Sequence, residues 1–127
     1  MNRKLSALLI VIALLMPGLG LASDQADFEV KTTQNLMNLC TAAPSDPNYQ
    51  AAIHFCHGYL VGAYAYYAAE HASPNAKHLF CLPDPAPSRN DALAMFLEWA
   101  KAHPQYMSEK PVDTEFRFLA EKWPCKK

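Results

Sequence analysis

Residues 45–74 read SDPNYQAAIHFCHGYLVGAYAYYAAEHASP, and this stretch decides the fold class. It opens on Ser45-Asp46-Pro47. The Asp46 carboxylate can accept from the free amides of a first helical turn, and Pro47, with no N–H to lose, fits the first helical position. From Tyr49 the positions Ala52, Ile53, Cys56, Leu60, Ala63 and Tyr67 recur at the helical period, with Phe55, Gly58, Tyr59, Gly62 and Tyr66 as a second stripe beside them. The spacing predicts a long helix that is buried on most of its circumference, central to the molecule, and ended near Ser73-Pro74. Tyr64, Tyr66 and Tyr67 add aromatic surface with polar tips, which suits a core edge or a contact surface. Gly58 and Gly62 each destabilise a helix interior by about 1 kcal/mol relative to Ala. Close packing of a neighbouring helix is therefore expected at these two glycines, from the same chain or from a second subunit.

Three further helices follow from caps, prolines and period. Upstream, a segment from about Gln25 to Cys40 carries Phe28, Thr32, Leu36 and Leu39 at helical spacing and should stop before Pro44. Downstream, Asn75 to Leu82 leads into Pro83, Pro85 and Pro87, a stiff connector that excludes a helix. Ser88 with Asp91 three residues on forms a capping box for a helix from Arg89 to about Ala102, with Ala92, Phe96, Trp99 and Ala100 facing inward. A last helix opens around Pro111 and runs to about Lys122, with Val112, Phe116, Leu119, Ala120 and Trp123 on its inner side. No alternating β-branched run bounded by turns argues for a strand. The sequence thus predicts an all-α protein, a small disulfide-bonded bundle of four main helices.

The chain has 127 residues and a formal charge of −1. Its first 22 residues read as a secretory signal peptide: Arg3 and Lys4 precede the apolar run Leu5–Met16, Pro17-Gly18 breaks it, and Gly20 and Ala22 supply small residues for cleavage before Ser23. No Cys follows the cleavage point, so a lipid anchor is not supported. Residues 23–127 then form one domain, and the loss of Arg3 and Lys4 takes its formal charge to −3. A mildly acidic domain of this size offers no electrostatic footprint for nucleic acid, and no second apolar stretch is long enough to span a membrane. The expected location is the periplasm, with no membrane attachment once the signal peptide is removed.

Cys40, Cys56, Cys81 and Cys125 all lie in the exported part, and an even count in a small exported domain is read first as two disulfides. Four cysteines allow three connectivities, which sequence alone does not separate. Length arithmetic makes a Cys56 to Cys81 bridge reachable, which would leave Cys40 for Cys125. No Cys-x-x-Cys pair points to a zinc ribbon or a redox centre.

Five histidines invite a metal hypothesis, and His54 and His57 share a helix face. No third ligand is evident, since His71 falls about 21 Å further along the helix axis. Cys56-His57 is not a nucleophile pair, because adjacent helical positions point about 100° apart and the cysteine is expected to be oxidised. No hydrolase, zincin or phosphate-loop motif is present, so neither an enzyme nor a cofactor or metal is expected. Binding is the better class. The loops Ser73 to His78 and Pro104 to Lys110, with Ser73, Asn75, Lys77, Glu109 and Lys110, are the candidates for gripping a partner.

Taken together, the contexts Leu39-Cys40, Phe55-Cys56-His57-Gly58-Tyr59 followed by Gly62-Ala63, Phe80-Cys81-Leu82-Pro83 and Trp123-Pro124-Cys125 resemble the Tai/Rap family of immunity proteins of type VI secretion systems. The resemblance runs from about Phe28 to Cys125. It implies a periplasmic all-α protein, possessing no catalytic groups, that binds and blocks a peptidoglycan amidase toxin. In that family a dimer presents a loop to the toxin's Cys-His cleft. A competing reading from the histidines and carboxylates is a periplasmic acid-stress chaperone that loosens on protonation. A weaker one is a histidine metal carrier.

Overall fold

The computed structural model describes residues 23–126, so the expected signal peptide, residues 1–22, lies outside the described residues. A short 3-10 helix, Gln25–Glu29, precedes α1 (Thr33–Cys40), α2 (Tyr49–Glu70), α3 (Arg89–Ala102), a 3-10 turn at Pro104–Tyr106, and α4 (Pro111–Lys122). The described residues contain no strand, and the all-α bundle of four main helices is what the sequence led one to expect. Its core joins Leu36, Met37, Leu39 and Cys40 of α1 to Ala52, Cys56 and Tyr67 of α2, Phe96 and Ala100 of α3, and Phe118 and Leu119 of α4. Phe80, from the connector, stacks on Tyr67 at 4.9 Å between ring centroids and closes the cluster.

The first predicted helix is two elements. Val30 takes a left-handed conformation (φ 48°), which ends the 3-10 helix and is uncommon for a β-branched residue. Thr32 then caps α1 by a reciprocal box: its hydroxyl accepts from the Asn35 N–H at 3.3 Å, and the Asn35 side-chain oxygen accepts from the Thr32 N–H at 3.1 Å. Buried Asp27 locks the two pieces together. Burial alone would raise its carboxyl, but bonds from the Asn35 and Asn38 amides and the Asp24 N–H hold it below the ordinary range.

The start of α2 also differs from its expected form. The helix begins at Tyr49 with Asn48 as its cap residue, so Pro47 lies before the first turn. Asp46 is committed elsewhere. It accepts from the Ser23 N–H (2.6 Å), the Ser23 hydroxyl (2.8 Å) and the Asn48 N–H (2.7 Å), and these bonds hold its carboxyl below the usual range. The cap of α3 is closer to the expected form. Ser88 Oγ accepts from the Asp91 N–H at 3.2 Å, although the Asp91 carboxylate accepts a hydrogen bond from the Ser88 hydroxyl instead of from a backbone N–H.

Two disulfides close the bundle, Cys40–Cys56 and Cys81–Cys125. This pairing overturns the Cys56 to Cys81 and Cys40 to Cys125 arrangement that length arithmetic allowed. Cys40 ends α1 where that helix packs on the start of α2, so its sulfur meets Cys56 in the core, with Cys40 5% and Cys56 0% exposed. Cys81 instead meets the chain end, and its N–H donates to the Trp123 carbonyl at 2.8 Å.

Candidate partner-binding loops

The two loops singled out in the sequence are built differently. Ser73–His78 follows α2, and Ser73, Asn75, Lys77 and His78 are all exposed. Its backbone closes on itself through one bond, Ala76 N–H to Ser73 carbonyl at 3.0 Å. The chain is caught again at Leu79, whose N–H donates to the buried Tyr67 hydroxyl at 2.6 Å. Leu79 itself is 58% exposed, an apolar side chain offered to solvent beside the loop.

The second loop, Pro104–Lys110, is fastened along its length. The Glu109 carbonyl accepts from the Thr33 N–H (2.7 Å) and the Thr33 hydroxyl (3.1 Å), and the Met107 carbonyl accepts from the Gln34 N–H (2.9 Å). These carbonyls satisfy amides that the first turn of α1 would otherwise leave without partners. The Thr33 hydroxyl also lies 2.7 Å from the Thr114 hydroxyl of α4, and both residues are fully buried. Trp99, His103 and Tyr106 form a stacked aromatic ladder, with Trp99 and His103 centroids 4.1 Å apart and Trp99 and Tyr106 centroids 5.7 Å apart. Arg117 lies over the Tyr106 ring at 4.4 Å and pairs with Glu109 at 3.0 Å, which raises the guanidinium further. Lys110 is exposed and serves as the cap residue of α4.

The loops are linked by one surface. A shallow depression is lined by Leu79 and by Asp113, Phe116 and Arg117 of α4, so the chain just after the first loop lies against the helix whose Arg117 holds the second. Leu79, Tyr106 and Arg117 were not singled out in the sequence. An apolar residue directly after a polar loop was the available signal for Leu79, while the Arg117–Tyr106 contact depends on how α4 is rotated.

That rotation differs from the predicted one. The buried positions of α4 are Pro111, Thr114, Glu115, Phe118 and Leu119, so the inner face is centred away from the Val112, Phe116, Ala120 and Trp123 side. α2 is less covered than its composition suggested: only Ala52, Cys56 and Tyr67 are buried, while Phe55, Tyr64 and Tyr66 are 37%, 38% and 70% exposed. A methyl group placed on Gly58 or Gly62 would meet nothing within 4 Å. Among the described residues no helix packs closely on those glycines, which corrects the same-chain alternative. Among the described residues no group of three or more His, Cys, Asp or Glu side chains is placed to hold a metal ion.

A sequence model of the Rap1a immunity proteins matches residues 32–125. The chain belongs to the Rap1a immunity protein family. The match starts at the cap of α1 and ends at Cys125, so it contains all four helices and both disulfides. This bears out the resemblance drawn from the cysteine contexts. No curated protein and no solved structure matches the chain significantly. The Rap1a family is one of immunity proteins, not of enzymes, and membership implies a toxin as partner. No helix among the described residues is long and apolar enough to cross a membrane.

Proposed function

We propose that this protein is a periplasmic immunity protein that binds a peptidoglycan amidase delivered by a type VI secretion system and occludes its active-site cleft. The family match over residues 32–125 carries the reading and favours it over an acid-stress chaperone or a metal carrier. Two disulfides suit an oxidising compartment beyond the inner membrane, in line with a signal peptide over residues 1–22. The lightly held Ser73–His78 loop, with Leu79 exposed beside it, supplies an adaptable surface that can enter a cleft without any catalytic group of its own. The uncovered face of α2, with the open glycines Gly58 and Gly62, supports a second copy of the chain as the neighbour those glycines lack.

The test is an inhibition assay with the amidase encoded beside this gene. The protein, added in stoichiometric amount, should abolish release of peptide fragments from purified peptidoglycan and should co-purify with the toxin. Full amidase activity in its presence, with no complex formed, would refute the reading. Light scattering of the exported protein should give twice the mass of one chain, and the chain mass alone would remove the dimer.

A further inference from the structure

A pocket enclosing about 290 Å³ opens between α2, α3, α4 and the proline-rich connector. Leu60, Leu93, Phe96 and Phe118 make its wall apolar, and Pro87 closes the connector side. One group on this wall is out of keeping with the rest. Glu115 of α4 is 5% exposed, and its Oε2 has no hydrogen-bond partner. The other polar residues lining the pocket, His57, Tyr64 and Arg89, make no hydrogen bond to it. Burial pushes its carboxyl up to about 8.

An unpartnered carboxyl oxygen in apolar surroundings destabilises a fold unless something bonds to it. The nearby hydroxyls are engaged elsewhere: Thr114 is committed to Thr33, and Tyr59 of α2, near enough for the Glu115 charge to raise its own phenol, accepts from the Val112 N–H. The pocket thus sets one carboxyl on an apolar wall, an arrangement suited to a donor carried on an apolar body.

We propose that this pocket binds a ligand with a short apolar body ended by a primary amine or guanidinium, the cationic head meeting the Glu115 carboxylate. Charge-assisted hydrogen bonds select a cation over a neutral donor of the same size. On binding, the neutral acid gives its proton to solvent and the carboxylate pairs with the incoming charge. No bond other than that O–H is broken. A free amphiphilic amine and the lysine side chain of a docked protein share this chemistry.

Titration calorimetry of the exported protein tests the site with four probes: hexylamine, hexanol, acetyl-Leu-Lys-amide and the matching norleucine peptide. At least one ammonium probe should bind about tenfold or more tightly than its uncharged counterpart. Repeating the titration in buffers of different ionisation enthalpy should show release of close to one proton per bound amine. Preference for hexylamine identifies a free amine as the ligand, and preference for the lysine peptide identifies a protein side chain. Glu115→Gln, which keeps the shape of the neutral acid, should erase the preference while leaving hexanol binding within about threefold. Leu93→Trp, which fills the pocket and leaves the carboxyl in place, should abolish amine binding. The proposal is overturned if no probe binds saturably, if charged and uncharged probes bind equally, or if the preference survives either substitution.

Discussion

The loops Ser73–His78 and Pro104–Lys110 are both short and polar, and the chain treats them in opposite ways. The first follows α2 with one internal backbone bond, and the chain is caught again just after it, at the Leu79 N–H to the Tyr67 hydroxyl and at the buried Phe80. The second serves as the cap of α1: its carbonyls take the Thr33 and Gln34 amides, its aromatic ladder stacks on Trp99, and Arg117 pairs with Glu109 at the surface. A loop that completes another element's hydrogen bonding cannot move to suit a partner without breaking that element. Of the two, the first is the less fastened, and in the second Glu109 has a role in the fold through its carbonyl and its pair with Arg117.

The comparison can be challenged at several points. The largest effect belongs to α4, on which the second loop is fastened. Glu115 has a raised folded-state pKa of about 8 against 4.5 for the free acid, so the folded protein holds a proton there that the unfolded chain has lost. The stability this proton supplies is fully present below pH 4.5 and is lost as pH rises from 4.5 through 8, by on the order of 5 kcal/mol in all. Urea unfolding across that window should show the decline, and Glu115→Gln should flatten it. A native profile without slope would show that the carboxyl is not isolated.

Next comes the anchor itself. Thr33→Val keeps the shape but removes the hydroxyl shared by Glu109 and Thr114, and should lower unfolding stability by about 2 kcal/mol. Hydrogen exchange should rise selectively in residues 104–110 and at the start of α1. Uniform loss across the molecule would deny the loop its special tie. On the first loop the pattern should invert. Leu79→Asp leaves the backbone bond to Tyr67 intact and should shift stability by no more than about 0.5 kcal/mol, yet, on the proposed function, should weaken binding of the amidase about tenfold in a competition assay. Unchanged affinity would move recognition elsewhere. The smallest effect is expected for Arg117→Ala. Its ion pair with Glu109 and its place over Tyr106 are exposed, so the melting temperature should not move measurably.

How much of this was legible in the sequence depended on whether the signal was local. Ser88 and Pro111 announce the starts of α3 and α4 because capping and the absence of a proline N–H act within one turn. The break inside the first predicted helix was also written locally, as Thr32 followed by Asn35, but a continuous apolar stripe across Phe28 and Leu36 hid it. Asp46 misled because its partner, Ser23, is far away in sequence. Disulfide pairing failed for a related reason: reach limits which cysteines can meet, and the packing of α1 on α2 decides which do. Glu115 was missed because the inner side was placed along Val112, Phe116, Leu119, Ala120 and Trp123, whereas Pro111, Thr114, Glu115, Phe118 and Leu119 are the buried positions. The first loop could be placed as a loop from composition, whereas the anchoring of the second depends on Thr33, far from it in the chain.

The two disulfides differ in how readily a reductant can touch them. Cys40 and Cys56 are sealed in the core, while Cys81 is exposed and Cys125 half-exposed. Thiolate attack requires access to a sulfur, so reduction should proceed in two stages with the C-terminal bridge opening first. Cys81 follows the buried Phe80 in the connector, beyond the Ser73–His78 loop. Opening that bridge frees the chain end from the connector while the corner between α1 and α2 stays sewn, so the molecule has an outer clasp and an inner one.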